Sequence, residues 1–354
     1  MNFPFTRIVR FLLISAFLIF LSGSSIDVFA QQSGTAAPTT DRQRGIDFFR
    51  RGEIKSAIQA LTISTKQDKA DGEAWYYLGL ALARNNQYDK AGKAFEASTK
   101  LQPEFGPGHT AYSYALLLTG KTEAAGKEAR RAIELDDRLA EAHYVLGVVH
   151  LRDGKLADAE LEAGRAIRSN PSFPKAHLLK SQALLGLYAK SSVAGVHPGE
   201  NATEEQLEKW REERAQTREF LKQATAAMES FVSRSPAEQT GIWGEQLATM
   251  RVHLDGTSEI FRSADVTTRA KVLRKPEPSY TEEARNAGVE GTVVMRAVFA
   301  SDGKVKHILV LTSLPYGLTE AAVEASRRIK FIPATKDGKP VSMWMQLEYN
   351  FSLY

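Results

Sequence analysis

The chain has 354 residues and no cysteine. That excludes disulfides, thiolate metal sites and a lipid-modified N-terminal cysteine. It fits an oxidising compartment without demonstrating one. Blocks of like charge are also missing. Forty-six Lys and Arg stand against 42 Asp and Glu, a net charge of +4, and they are spread along the chain. Such spacing argues against nucleic acid as the main partner. The N-terminal apolar run, Phe11 to Leu21, is eleven residues, where a membrane span needs about 20. No nucleophile elbow, zinc-protease motif or pair of catalytic carboxylates occurs, so the chain reads as a non-enzyme without cofactor or metal. Gly120-Lys121-Thr122 looks like the end of a phosphate-binding loop. Ala115 stands where that loop needs its first Gly, and no strand precedes it.

What is present begins with Arg7 and Arg10 ahead of the apolar run. Ser22-Gly23-Ser24-Ser25 and Val28-Phe29-Ala30 follow it. A basic region, a short apolar core and a small-x-small site read as a secretory signal cleaved after Ala30. The alternative is a retained N-terminal anchor. Cleavage removes Arg7, Arg10 and Asp27 and leaves a net charge of +3. The polar stretch 31–40 reads as a linker.

Ala74-Trp75, Gly108-His109, Ala142-His143 and Ala176-His177 then recur every 34 residues. Leu78-Gly79, Ala91, Phe95 and Pro103 mark one unit. Leu146-Gly147, Ala159, Ala163, Ala166 and Pro171 mark another. The unit from Gly108 carries Tyr112, Ala125, Ala129 and Ala132, and Gly45, Phe48, Ala57 and Leu61 fit the same frame upstream. Small residues let two helices approach, and Pro stops the second one. This period resembles that of tetratricopeptide repeats. One such unit cannot bury its own apolar face, so units must stack. In that family the first helix of each unit lines a concave groove. The matching positions are Tyr76, Leu80, Thr110, Tyr114, Tyr144, Val148, Leu178 and Gln182, a Tyr-rich lining suited to a peptide. His109, His143 and His177 occupy one position of successive units, about 10 Å apart. One metal could not join all three, so they read as interhelical packing. Asn201-Ala202-Thr203 matches a glycosylation acceptor, a pattern common by chance.

The C-terminal part changes period. Val293, Met295, Ala297 and Phe299 alternate, as do Met343, Met345, Leu347, Tyr349 and Phe351. Period two predicts strands with one buried and one exposed face. Asp302-Gly303 predicts a hairpin, and Leu318, Ala321, Ala322, Ala325 and Ile329 predict a helix between the second and third strands. Glu283-Ala284-Arg285, Gly288-Val289-Glu290-Gly291-Thr292-Val293, Asp302-Gly303-Lys304-Val305, Ala321-Ala322, Phe331-Ile332-Pro333-Ala334 and Asp337-Gly338-Lys339-Pro340-Val341 together resemble the C-terminal domain of TonB-type proteins. That family usually has Tyr-Pro before its first helix, where this chain has Tyr280-Thr281. The resemblance implies that the last strand, Val341 to Phe351, lies at a sheet edge. There it would accept a segment of an outer-membrane transporter by strand addition. The partner-binding positions would be Val341, Met343, Trp344, Met345, Gln346, Leu347, Glu348 and Tyr349. The competing expectation is that Val266 to Leu273, a lead-in strand, or a dimer partner already covers that edge.

The whole reads as a multidomain chain, an all-α repeat solenoid followed by a small α+β domain with a three-stranded antiparallel sheet and helices. The expected segments are a signal peptide or anchor at 1–30, a linker at 31–40 and repeats at 41–188. A loop insertion at 189–203, capping helices at 204–255, a linker at 256–264 and the last domain at 265–354 follow. Two functions are compatible with this layout. One is a TonB-type periplasmic protein that binds outer-membrane transporters and contributes to transmembrane transport, with a repeat scaffold in place of a Pro-rich spacer. The other is a secreted assembly adaptor in the envelope of a Gram-negative-type bacterium, with protein partners and no energy-transducing role. Motor-coupled members of the family keep an N-terminal helix with a His on its polar face, and no His occurs before position 109.

Overall fold

The computed structural model describes residues 40–194, 202–236, 242–255, 260–263, 265–286, 288–312, 314 and 316–353. The expected signal or anchor, nearly all of the 31–40 linker and Asn201 lie outside them. The described residues fall into two compact bodies, one up to Leu179 and one from Lys180.

The first body is a stack of helix pairs. They are α1 (Asp41–Arg50) with α2 (Ile54–Gln67), α3 (Gly72–Arg84) with α4 (Tyr88–Leu101), α5 (Gly106–Leu118) with α6 (Thr122–Leu135), and α7 (Ala140–Arg152) with α8 (Leu156–Ser169). A ninth helix, α9 (Pro174–Ala194), starts the next unit. Close approach within a pair depends on small residues. A Cβ on Gly79 would lie 2.5 Å from the Phe95 ring, and one on Gly45 would lie 2.5 Å from Leu61. Each turn inside a pair holds one left-handed residue, at Gly52, Asn86, Gly120 and Gly154. Gly120 of the apparent phosphate loop is therefore a repeat turn. Ala57, Ala91, Ala125 and Ala159 are fully buried at the same 34-residue spacing, so the core is a repeated row of small contacts.

In the second body the rest of α9 pairs with α10 (Glu204–Arg234), where Ser181 Oγ donates to Ala224 O at 2.8 Å. α9 runs on to Ala194, into the segment that the sequence marks as a loop. Its extension is held by the buried Tyr188 and Ala189 and by a Ser191–Thr217 hydroxyl contact. α11 (Ile242–Asp255) packs on α10 through Trp243, whose ring lies 5.9 Å from Phe231.

The sheet contains β1 (Ile260–Phe261), β3 (Gly291–Phe299), β4 (Val305–Thr312), β6 (Ala334–Lys336) and β7 (Lys339–Phe351). Its order is β1-β7-β3-β4, with β6 also paired to β7. β3 pairs antiparallel with both neighbours, and β1 is parallel to β7. Beside it, β2 (Lys271–Arg274) and β5 (Lys330–Ile332) form a two-stranded ribbon. Short α12 (Glu282–Asn286) precedes β3, and α13 (Leu318–Arg327) links β4 to β5. Asp302-Gly303 turns as its sequence predicts, with Gly303 N donating to Ala300 O and Ala300 N to Lys304 O, both at 3.0 Å. A second Asp-Gly pair, Asp337-Gly338, has both residues left-handed and joins β6 to β7. The last strand thus starts at Lys339 rather than Val341.

One face of β3 carries Val293, Met295, Ala297 and Phe299, all fully buried with Leu318, Ala322 and Ala325 of α13. The opposite face departs from the expectation of one exposed side. Val294 is 9% and Val298 2% exposed, and Leu309, paired with Arg296, is 2%. A strand apolar on both faces is the mark of one sandwiched between layers. The second layer is helical. The His253 ring of α11 lies 4.5 Å from Trp344, and Arg296 reaches Tyr188 Oη of α9 at 3.5 Å.

Candidate protein-binding site

β7 pairs with β3 in unbroken register from Met343 opposite Phe299 to Phe351 opposite Gly291. The alternation puts Met343, Leu347, Tyr349 and Phe351 into the core, with Met345 half-buried. Trp344, Gln346 and Glu348 lie on the other face, as expected. The start of the strand is already occupied. Val341 pairs with Ala334 of β6, and Ser342 and Met343 pair with Ile260 and Phe261 of β1. From Trp344 to Tyr349 the edge away from β3 has no strand partner among the described residues. The expected lead-in strand does not cover it. β2 turns to β5 instead, while Thr267 and Thr268 bond to Thr335. Lys275 reaches this edge: its Nζ donates to Glu348 O at 2.5 Å and sits 4.3 Å from the Tyr349 ring centroid.

The sequence makes Trp344 an outward contact residue. In the structure it is half-buried between His253 and the Arg296 guanidinium, which lies 4.9 Å from its ring centroid. His253 Nε2 donates to His307 O at 2.9 Å. That carbonyl is presented by a bulge in β4, where His307 is left-handed and the register with β3 shifts. A bulge bends the strand and re-aims its groups. Burial pushes the His253 pKa down to about 4, and the nearby Arg296 charge adds to it, so the ring is neutral at neutral pH. The groups left facing outward are the Gln346 and Glu348 side chains and the main-chain groups of the edge.

The second expected surface runs along the first helices of the repeats. Tyr76 and Leu80 lie on α3, Thr110 and Tyr114 on α5, Tyr144 and Val148 on α7, and Leu178 and Gln182 on α9. All but Gln182 are less than a tenth exposed. The tyrosines belong to an aromatic row: Tyr76 meets Phe105 at 5.0 Å, Tyr114 stacks on Tyr144 at 6.4 Å, and Tyr144 meets Phe173 at 5.3 Å. Burial pushes all three hydroxyls up, so they stay neutral donors.

The repeated histidines are staples. His109, His143 and His177 each place Nε2 at 2.8–3.0 Å from the carbonyl six residues back, of Pro103, Asp137 and Pro171. A carbonyl only accepts, so Nε2 carries a proton. Nδ1 of His109 faces Glu128 at 2.7 Å, and that of His143 faces Glu162 at 2.6 Å. Trp75, at the equivalent place in the first full unit, donates Nε1–H to Lys69 O at 3.1 Å. A ring N–H therefore ties each of α3, α5, α7 and α9 to the turn before it. Burial alone would raise the Glu162 carboxyl, but His143 and Arg165 outweigh it and hold it below its ordinary value.

A family model described as Gram-negative bacterial TonB protein C-terminal matches residues 276–353, and a tetratricopeptide repeat model matches 42–104 and 113–177. The chain carries tetratricopeptide repeats and a TonB-type C-terminal domain. It is 33% identical over 88 residues to Protein tonB2 of Pseudomonas aeruginosa, covering 25% of this chain and 33% of the relative. It is 30% identical over 99 residues to Protein TonB of Vibrio cholerae, covering 26% of this chain and 41% of the relative. The chain thus spans a third to two fifths of the length of these relatives. Among solved structures, a thermophilic TPR protein of Thermus thermophilus is 16% identical with a TM-score of 0.40, over 60% of this chain and 97% of that one. Within the TonB-type domain, Thr281 replaces the usual Pro with a different device. Its Oγ1 accepts from Ala284 N at 3.2 Å and donates to Tyr316 O at 2.6 Å, tying α12 to the turn before α13. The sequence reading missed the bulge at His307 and the His253–Trp344–Arg296 cluster. Its available signal was the near-continuous apolar run of β3, broken by Arg296 alone between Val293 and Ala300.

Proposed function

We propose that this is a periplasmic protein-binding protein of the bacterial envelope, exported by its N-terminal signal. Its TonB-type domain takes an extended segment of an outer-membrane transporter onto the free edge of β7, and so contributes to transmembrane transport. The repeat array serves as the scaffold and as the surface for a second protein partner. The observation that carries the reading is the unpaired stretch Trp344 to Tyr349. Its N–H and C=O groups can extend the ladder. The adaptor reading, binding without energy transduction, stays beside it because the likeness to the TonB relatives covers a quarter of this chain.

The test is fluorescence anisotropy of the full chain with a labelled extended peptide from an outer-membrane transporter. Gln346→Pro removes a main-chain donor from the free edge, on the side that Glu348 O also faces, and should abolish binding. Tyr144→Ala should leave it intact. Equal affinity of Gln346→Pro and the parent, with an unchanged circular dichroism spectrum, would reject strand addition at β7.

A further inference from the structure

We infer that the outward face of the β2–β5 ribbon is a docking surface for an acidic, extended segment of a partner protein, separate from the β7 edge. Paired residues of an antiparallel ladder share a face. Lys271 pairs with Ile332 and Arg274 with Lys330, so all four look outward, while Val272 pairs with the buried Phe331. The register shifts between Val272 and Arg274, and the extra residue there, Leu273, is 61% exposed. Ile332 beside it is 51% exposed. The result is two apolar side chains framed by three cations.

The charge extends beyond the ribbon. Arg269 precedes β2, and Arg327 and Arg328 precede β5, all exposed. Segments 266–276 and 325–336 contain no acidic residue. Lys271, Arg274 and Lys330 form no ion pair among the described residues. The pairing of two sequence-distant segments thus gathers like charges that no ion pair among the described residues neutralises, with Asp265, Glu277, Glu324 and Asp337 only at the segments' ends. Asp and Glu side chains of a partner would neutralise them.

The occupant is argued from this mixture. Cations on an edge strand discourage pairing between copies, and the bulge hinders backbone pairing further. Side chains must then carry the contact. An anionic polymer would use the cations and leave Leu273 and Ile332 in water. A lipid surface needs more apolar side chains than a strand of four residues, about 13 Å long, presents. A protein segment alternating acidic and apolar residues uses both.

The test titrates the full chain with a fluorescent peptide of alternating Glu and Val, with its Lys and Val counterpart, and with phosphatidylglycerol vesicles. The Glu peptide should bind and the Lys peptide should not. Lys271→Glu, Arg274→Glu and Lys330→Glu combined should weaken binding about tenfold or more, and the Gln triple less. Leu273→Ser should weaken it about threefold. The control triple Lys209→Glu, Lys222→Glu and Arg218→Glu on α10, with the same net charge, should bind as the parent does. Equal loss in the control triple, no loss in the ribbon triple, or ribbon-dependent binding of vesicles without peptide binding would each overturn the proposal. Gln346→Pro should leave Glu-peptide binding unchanged, so the outcome is independent of the β7 edge.

Discussion

The two bodies hold their layers together in opposite ways. In the repeats one junction is made again and again, from a fully buried Ala, a left-handed turn residue and a ring N–H on a carbonyl six residues back. In the second body a helical layer meets the sheet through unlike side chains, Arg296, Trp344, His253 and Tyr188, with the bulged His307 carbonyl. Repetition distributes stability over near-identical interfaces. A unique cluster concentrates it. Damage should therefore stay local and partial in the repeats but spread through the sheet body, and local hydrogen exchange can separate the two.

The largest effect is expected in the sheet core. Phe299 is fully buried with its ring 4.5 Å from Phe331. Phe299→Ala should cost about 3–5 kcal/mol. Exchange should accelerate across β3, β4 and β7 while α3 to α8 stay protected. Next comes a staple. His143→Phe leaves the Glu162 carboxylate and the Asp137 carbonyl short of a donor, at a cost of about 2–3 kcal/mol. Protection should fall in α7 and α8 and hold in α1 and α2, and a uniform loss would contradict the nearest-neighbour picture. Trp344→Ala removes the ring between His253 and Arg296, at about 2 kcal/mol. It should loosen α11 with little change in α13, on the other sheet face.

The most gradual effect is a pH slope. The His253 pKa is depressed in the folded state to about 4 from 6.5. The unfolded chain therefore binds more protons between those values, and the sheet body loses stability as pH falls from 6.5 to 4, by about 1 kcal/mol per pH unit at most. His253→Phe should flatten that slope. Glu162, held below its ordinary value, contributes stability that is lost only as pH falls below that ordinary value of 4.5. A urea series read by exchange at pH 7, 5.5 and 4.5 distinguishes the two bodies.

Much of this was legible in the sequence because its signals are local or periodic. The 34-residue spacing named the helix pairs, and Asp302-Gly303 with the alternation around it named the β3–β4 hairpin. Less legible was what depends on residues far apart in the chain. Alternation in β3 predicted an exposed face, yet Val294 and Val298 are covered. No spacing rule links them to His253 or Tyr188. The parallel pairing of Ile260 and Phe261 with β7 is two residues long, too short for any pattern to register. Asp337-Gly338 carried a hairpin signal that was readable but passed as part of a longer motif.

The most direct test of the β7 edge is hydrogen exchange of the full chain with and without the transporter peptide. The account predicts new protection at amides between Trp344 and Tyr349 that point away from β3, with β2 unchanged. Protection confined to the repeats, or absent from β7 at saturating peptide, would contradict it.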